Sequence, residues 1–168
     1  MPRCLMFVVC RESITNKDNG ELSLIGIING VGLLRGANEE ISPDDSIPMK
    51  WDAVSLWLQL PEDEGKTFEQ QVCFVQPTGR IIGGTAMSFS FKDRIIHIRL
   101  HGLVLPVGSP GENVFRLNLR EVGGQHHSDW ATVAEFPIEI ASPQSECMPP
   151  GNSIQNILPT QVPAKPTV

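Results

Sequence analysis

The chain predicts an all-β fold: a two-sheet antiparallel β-sandwich of Ig-like architecture, with eight or nine strands. Three observations carry this prediction. Between Cys4 and Ile140, short apolar or alternating segments recur with Gly, Pro and acidic turns between them. Turn signals every eight to twelve residues or so, with no intervening helices, are the pattern of sheet packed on sheet. No segment shows the 3.6-residue apolar period of an amphipathic helix. The immunoglobulin Cys–Trp–Cys hallmark is absent, so the expectation concerns architecture and not membership of that superfamily.

Residues 4–10, Cys-Leu-Met-Phe-Val-Val-Cys, read as a buried first strand ending at Arg11. Asn16 to Gly20 supplies a turn, and Asn19-Gly20 is the strongest short hairpin signal. Glu21 to Val31 follows as one β-branched, apolar strand, in which Gly26 and Gly30 suggest a bulge or a close backbone approach. Residues 36–50 are a polar loop. Over residues 52–60 the alternation is clean, with Val54, Leu56, Leu58 and Leu60 on one face and Ser55, Trp57 and Gln59 on the other.

An acidic turn from Pro61 to Lys66 leads to a strand over 68–76. Gln76-Pro77-Thr78-Gly79-Arg80 turns the chain into Ile81 to Phe91, where Gly83-Gly84 marks a bulge. After the short turn Lys92-Asp93, residues 94–104 set Ile96, Ile98 and Leu100 against His97, Arg99 and His101. Pro106 to Glu112 is a loop. Strand 113–121 then points Phe115, Leu117 and Leu119 inward, with Arg116, Asn118 and Arg120 outward. Residues 123–129 form another loop. The last strand, Trp130 to Ile140, places Thr132, Ala134, Phe136, Ile138 and Ile140 on one face, with Pro137 opposite them at a sheet edge or bulge.

Beyond Ala141 the composition changes. Residues 142–168 hold six prolines, little charge and few aliphatic residues. A segment of that kind cannot pack a core, so the chain divides into a domain over 1–141 and a disordered Pro-rich tail over 142–168. Pro163-Ala164-Lys165-Pro166 has the form of a PxxP ligand, a pattern common in Pro-rich tails by chance.

Composition excludes several classes of partner. The net charge is −6, and the 13 Lys and Arg residues are scattered, so no basic footprint for nucleic acid or an anionic membrane is present. The apolar run at 4–10 is too short for a membrane span and lacks the cleavage site of a signal peptide. The four cysteines, Cys4, Cys10, Cys73 and Cys147, fit neither a disulfide framework nor a CxxC metal site. Cys4 and Cys10, six apart on one strand, fall on the same face. A cytoplasmic protein with reduced thiols packed as small hydrophobes is the expectation.

Three segments carry a resemblance. Gly20-Glu21-Leu22-Ser23-Leu24-Ile25-Gly26-Ile27 follows the first apolar strand, with Val75-Gln76-Pro77-Thr78-Gly79-Arg80 and Pro110-Gly111-Glu112-Asn113-Val114-Phe115-Arg116-Leu117 further on. Over roughly residues 1–141 the chain resembles a family of small bacterial β-sandwich proteins of unknown function, in which a gk-L-S-l-l-G-i segment recurs after the first strand. The second segment is similar to the dPdG hairpin of Ig-like domains, and the third to their pG-x-Y-x-F-x-L strand entry. The chain departs from the latter at Asn113-Val114, where an aromatic is usual, and it contains no Tyr. The resemblance implies the fold and a bacterial cytoplasmic setting, and no activity.

The densest chemically capable cluster is His126-His127-Ser128-Asp129, which could serve as a metal site or a hydrolytic constellation. No nucleophile elbow or H-E-x-x-H motif accompanies it, and a polar hairpin loop explains it more simply. His97 and His101 share a face but lie about 13 Å apart along a strand, too far to ligate one ion together. Glu39-Glu40, Asp44-Asp45 and Glu62-Asp63-Glu64 would suit Ca²⁺ only if their loops met, and their spacing matches no calcium motif. Trp57 is either a core residue or, on an outward face, an aromatic anchor for a partner. The expectation is a non-catalytic protein-binding or assembly module without a cofactor, with Trp57 as its interaction residue. The alternatives are a hydrolase or metalloenzyme using His126, His127 and Asp129, and a structural subunit of a larger assembly.

Overall fold

The computed structural model describes residues 1–33, 42, 44–107, 109–123 and 126–141, without the side chains of Thr85, His126 and His127. The segment expected as a tail, with Cys147, lies outside the described residues, as do Glu39 and Glu40. Apart from a 3₁₀ turn at Pro61–Asp63, the regular elements are strands. In chain order these are β1 (Arg3–Thr15), β2 (Leu22–Ile27), β3 (Gly30–Gly32), β4 (Ser46–Ile47), β5 (Trp51–Leu58), β6 (Thr67–Val75), β7 (Ile81–Ser90), β8 (Ile95–Gly102), β9 (Leu105–Pro106), β10 (Gly111–Gly123), β11 (His126–His127) and β12 (Ala131–Ala141). The long strands number as the periodicity predicts. The additional ones, β3, β4, β9 and β11, are two or three residues each, too short to show a period. No helix among the described residues is long and apolar enough to cross a membrane.

Strands β2-β1-β5-β8 form a four-stranded sheet. Strands β3-β12-β10-β6-β7 form a larger one that curls into a half-barrel, with β11 paired to β10, and β4 and β9 pair with each other. Ladders are antiparallel except β12 with β3. The hairpin expected at Asn16–Gly20 is present. Asn16 N–H donates to the Glu21 carbonyl at 2.8 Å, and the Asn16 and Asn19 side chains accept the Asp18 and Glu21 N–H groups.

The core lies between the two large sheets. Phe7, Val9, Ala53, Trp57 and Ile98 from one face Phe68, Val72, Phe74, Phe115, Leu117, Leu119, Ile138 and Ile140 from the other, all buried. Rings interlock across it: Trp51 lies 5.0 Å from Phe115, and Trp57 stacks on Phe89 at 5.8 Å. The inward set Phe115, Leu117 and Leu119 is as the alternation predicts.

Four expectations need correction. The single strand over 21–31 breaks at Ile28, whose N–H donates to the Val9 carbonyl; β2 stays in the first sheet while β3 joins the second. On β5, Trp57 faces the core and Leu56 and Leu58 face away, because both faces of this central strand are at least partly covered. Cys4 pairs with Trp57 and Cys10 with Asp52, residues on opposite faces of β5, because β1 bulges between Cys4 and Met6. On β12, a bulge opposite Leu117 and Asn118 sends Thr132 to the face away from Ala134. A one-residue slip inverts side-chain direction, and neither bulge carries a glycine to announce it.

The bulge expected at Gly83-Gly84 is present: Val72 pairs with Thr85 and Phe74 with Ile82, so both glycines oppose Cys73. Both have positive φ, and a Cβ on Gly84 would come within 2.8 Å of Gln71 Nε2. Among the described residues β12 has no strand partner on its outer side at Pro137, since β3 pairs with Glu139 to Ala141.

Candidate functional site

The sequence candidates are not brought together. Trp57 is fully buried. Its indole Nε1–H donates to Gln70 Oε1 at 2.9 Å and lies 3.0 Å from Ser55 Oγ, while Ser55 Oγ–H donates to the same Gln70 oxygen at 2.7 Å. Ser55 and Trp57 belong to β5 and Gln70 to β6, so this buried polar network ties one sheet to the other. Trp57 is therefore a core residue and not a surface anchor. Its polar handle, which often marks interface tryptophans, is consumed internally.

The histidine pair forms β11, whose His126 and His127 backbones pair with Gly123 and Val122; their side chains lie outside the described residues. Asp129 is exposed. Ser128 is committed to the backbone, its Oγ accepting the Glu121 N–H at 2.8 Å and its own N–H donating to the Glu121 carbonyl. That geometry serves to close a hairpin.

A polar cluster that the sequence did not single out lies on the outer face of the four-stranded sheet. Asp52, nearly buried, accepts from Ser13 N–H at 2.7 Å and Ser13 Oγ–H at 2.6 Å through one carboxylate oxygen, and meets His101 Nδ1 at 2.5 Å through the other. Arg99 donates to the Ser13 carbonyl at 2.6 Å, and Thr15 Oγ1 lies 3.1 Å from His97 Nε2. Ser13 thus meets β8 at Arg99, and Thr15 meets it at His97, two residues back toward the start of β8. The distal half of β1 has therefore doubled back across the sheet that its proximal half belongs to, and Val54 beneath it is fully buried.

Burial acts to raise the Asp52 carboxyl. The hydrogen bonds from Ser13 and His101 and the charge of His101 outweigh that, so it titrates below its ordinary range. Asp52 joins Ser13 to His101 instead of the histidine joining the other two, so the three do not form a nucleophile–base–acid relay. Burial pushes the thiols of Cys4, Cys10 and Cys73 up, further for Cys10 through the Asp52 carboxylate, which lowers their thiolate fraction below that of a free cysteine. No group of three metal-ligating side chains occurs among the described residues. Asp52, the one charged residue of strand β5, was the available signal for the cluster; its partners on β1 and β8 were not legible.

The doubled-back hairpin turns a second face to solvent. Ile14, Ile25 and Ile27, which share a side of the β1–β2 ladder, are 45%, 47% and 56% exposed. Among the described residues no strand pairs with the outer edge of β2. At the end of the molecule where β5 leaves its sheet, an open cleft of about 550 Å³ lies between Leu58–Pro61, Glu64, Gly65 and the turn carrying Phe91, Lys92 and Arg94.

No protein-family model, curated protein or solved structure matches the chain.

Proposed function

We propose that the protein is a non-catalytic binding module of Ig-like two-sheet architecture, working in the cytoplasm, that engages a protein partner through the outward face of its β1–β2 hairpin. The observation that carries this reading is the ridge of Ile14, Ile25 and Ile27 beside a β2 edge that no strand pairs with among the described residues. Apolar β-branched side chains left in water on a free edge are costly to solubility, and proteins ordinarily blunt such edges with charge or Pro. A partner that lays a strand along β2 would satisfy the open backbone groups and cover the isoleucines together. The core shared by the two large sheets supports the Ig-like reading. The free thiols Cys4, Cys10 and Cys73 suit a reducing compartment.

Charge on the ridge tests this. Ile25→Lys with Ile27→Glu places exposed side chains on an exposed face, so the fold should survive, as far-UV circular dichroism would report. Capture of protein partners from native lysate should fall about tenfold or more, because central apolar anchors dominate such interfaces. Unchanged capture by a folded variant would remove the hairpin from the reading.

A further inference from the structure

The cleft beside the 3₁₀ turn Pro61–Asp63 combines an apolar wall with a rim in which cations outnumber carboxylates, and both walls are anchored in the fold. Leu58, Leu60, Pro61 and Phe91 supply the wall. Phe91 is held by edge-on contacts with Phe68 and Phe89 at 6.2 and 5.7 Å. The opposite wall is pinned by the fully buried Asp63, which accepts the Leu60 N–H at 3.0 Å. Gln59 N–H donates to the Arg94 carbonyl at 2.9 Å, joining the two sides. The volume, about 550 Å³, falls within the usual range for small-molecule sites.

Charge then selects the ligand. Lys92 and Arg94 line the cleft, and neither forms an ion pair among the described residues. One carboxylate, Glu64, lines it as well. Among the lining residues two cations face one anion, an excess of one positive charge on a protein whose net charge is −6, and the buried Asp63 behind the wall is paired with the N-terminal amine of Met1 at 3.2 Å. We propose that this cleft binds a small monoanionic amphiphile, an alkyl carboxylate whose head meets Lys92 and Arg94 and whose chain lies on Leu58, Leu60 and Phe91. A bidentate guanidinium–carboxylate pair fixes the head, and apolar burial supplies most of the affinity. A dianion would face Glu64 with more repulsion, and a cation would meet the wrong rim. None of the lining residues belongs to β1 or β2, so the proposal stands apart from the hairpin ridge.

Decanoate titrated into ¹⁵N-labelled full-length protein provides the test, with decylamine and decanol as probes of the same chain length. Saturable shifts confined to Gln59, Gly65 and Arg94 and their neighbours are expected for decanoate, with a dissociation constant below about 1 mM, a weak but specific affinity. Lys92→Glu with Arg94→Glu should weaken decanoate binding about tenfold or more, while Glu64→Gln should tighten it a few-fold. All of these positions are exposed, so the spectrum away from the cleft reports that each variant is folded. Equal binding of decylamine, binding that survives the double charge reversal, or no saturable shift with decanoate would each overturn the proposal.

Discussion

The side chain of Trp57 shows how one residue's position sets its role. Packed against Phe89 and bonded to Gln70, it holds the interior of both sheets, and Trp57→Ala should cost about 3–5 kcal/mol. Against a typical total stability of about 5–15 kcal/mol, that lowers the chemical denaturation midpoint sharply, with loss of binding only as a consequence of unfolding. A folded, stable Trp57→Ala protein would contradict the packing. Leu117 and Arg116 offer a paired comparison one residue apart. Leu117, fully buried, should lose about 2–5 kcal/mol on truncation to Ala. Arg116 forms a partly exposed ion pair with Glu135 at 2.8 Å, so Arg116→Ala should cost about 1 kcal/mol or less. Their order was legible from alternation alone, whereas that of Trp57 was not: a central strand covered on both faces carries apolar residues on both.

Elements are joined here by close approach and by the Asp52 clasp. Trp51 donates its indole N–H to the Val104 carbonyl at 2.9 Å and lies directly over Gly102, where a Cβ would fall 2.0 Å from the indole ring. Gly102→Ala should therefore force β5 and β8 apart, lowering stability by about 1–3 kcal/mol or more, measurable by urea unfolding. The clasp fixes the doubled-back hairpin and makes it sensitive to acid. The folded Asp52 carboxyl titrates below its unfolded value near 3.9, so it contributes stability fully present above about pH 4 and lost as pH falls through the folded value. Asp52→Asn should accordingly destabilise the protein at neutral pH, and the gap from wild type should shrink as the solution is acidified below pH 4. A constant gap at every pH would mean that the carboxylate charge is not what holds Ser13. The glycine bulge on β7 and the Asn-Gly hairpin were legible as elements because both rest on local backbone chemistry. The bulges on β1 and β12 were not, and each reversed an expected side-chain direction.

For the whole molecule, the order of strands governs how it assembles. The first strand pairs with β5, β8 closes that sheet, and β12 reaches back to pair with β3, so native pairings join residues far apart in sequence. Such topologies fold slowly because loop-closure entropy is spent before the contacts that compensate it form. Refolding followed by tryptophan fluorescence should occur in milliseconds to seconds, and a microsecond transition would contradict the topology. What the sequence by itself determined is the all-β class, the long strands, most turns and the inward set on β10. Each depends on residues within a few positions of one another, where period and turn chemistry act. Only the tertiary structure decided that Trp57 is core, that β2 and β3 part into different sheets, that Ser13, Asp52, Arg99 and His101 meet, and that three isoleucines and a cationic cleft remain open to solvent. Those facts arise from which strands become neighbours and how strongly they coil. That is a competition among long-range packings for the same apolar surface, and no local pattern records its outcome.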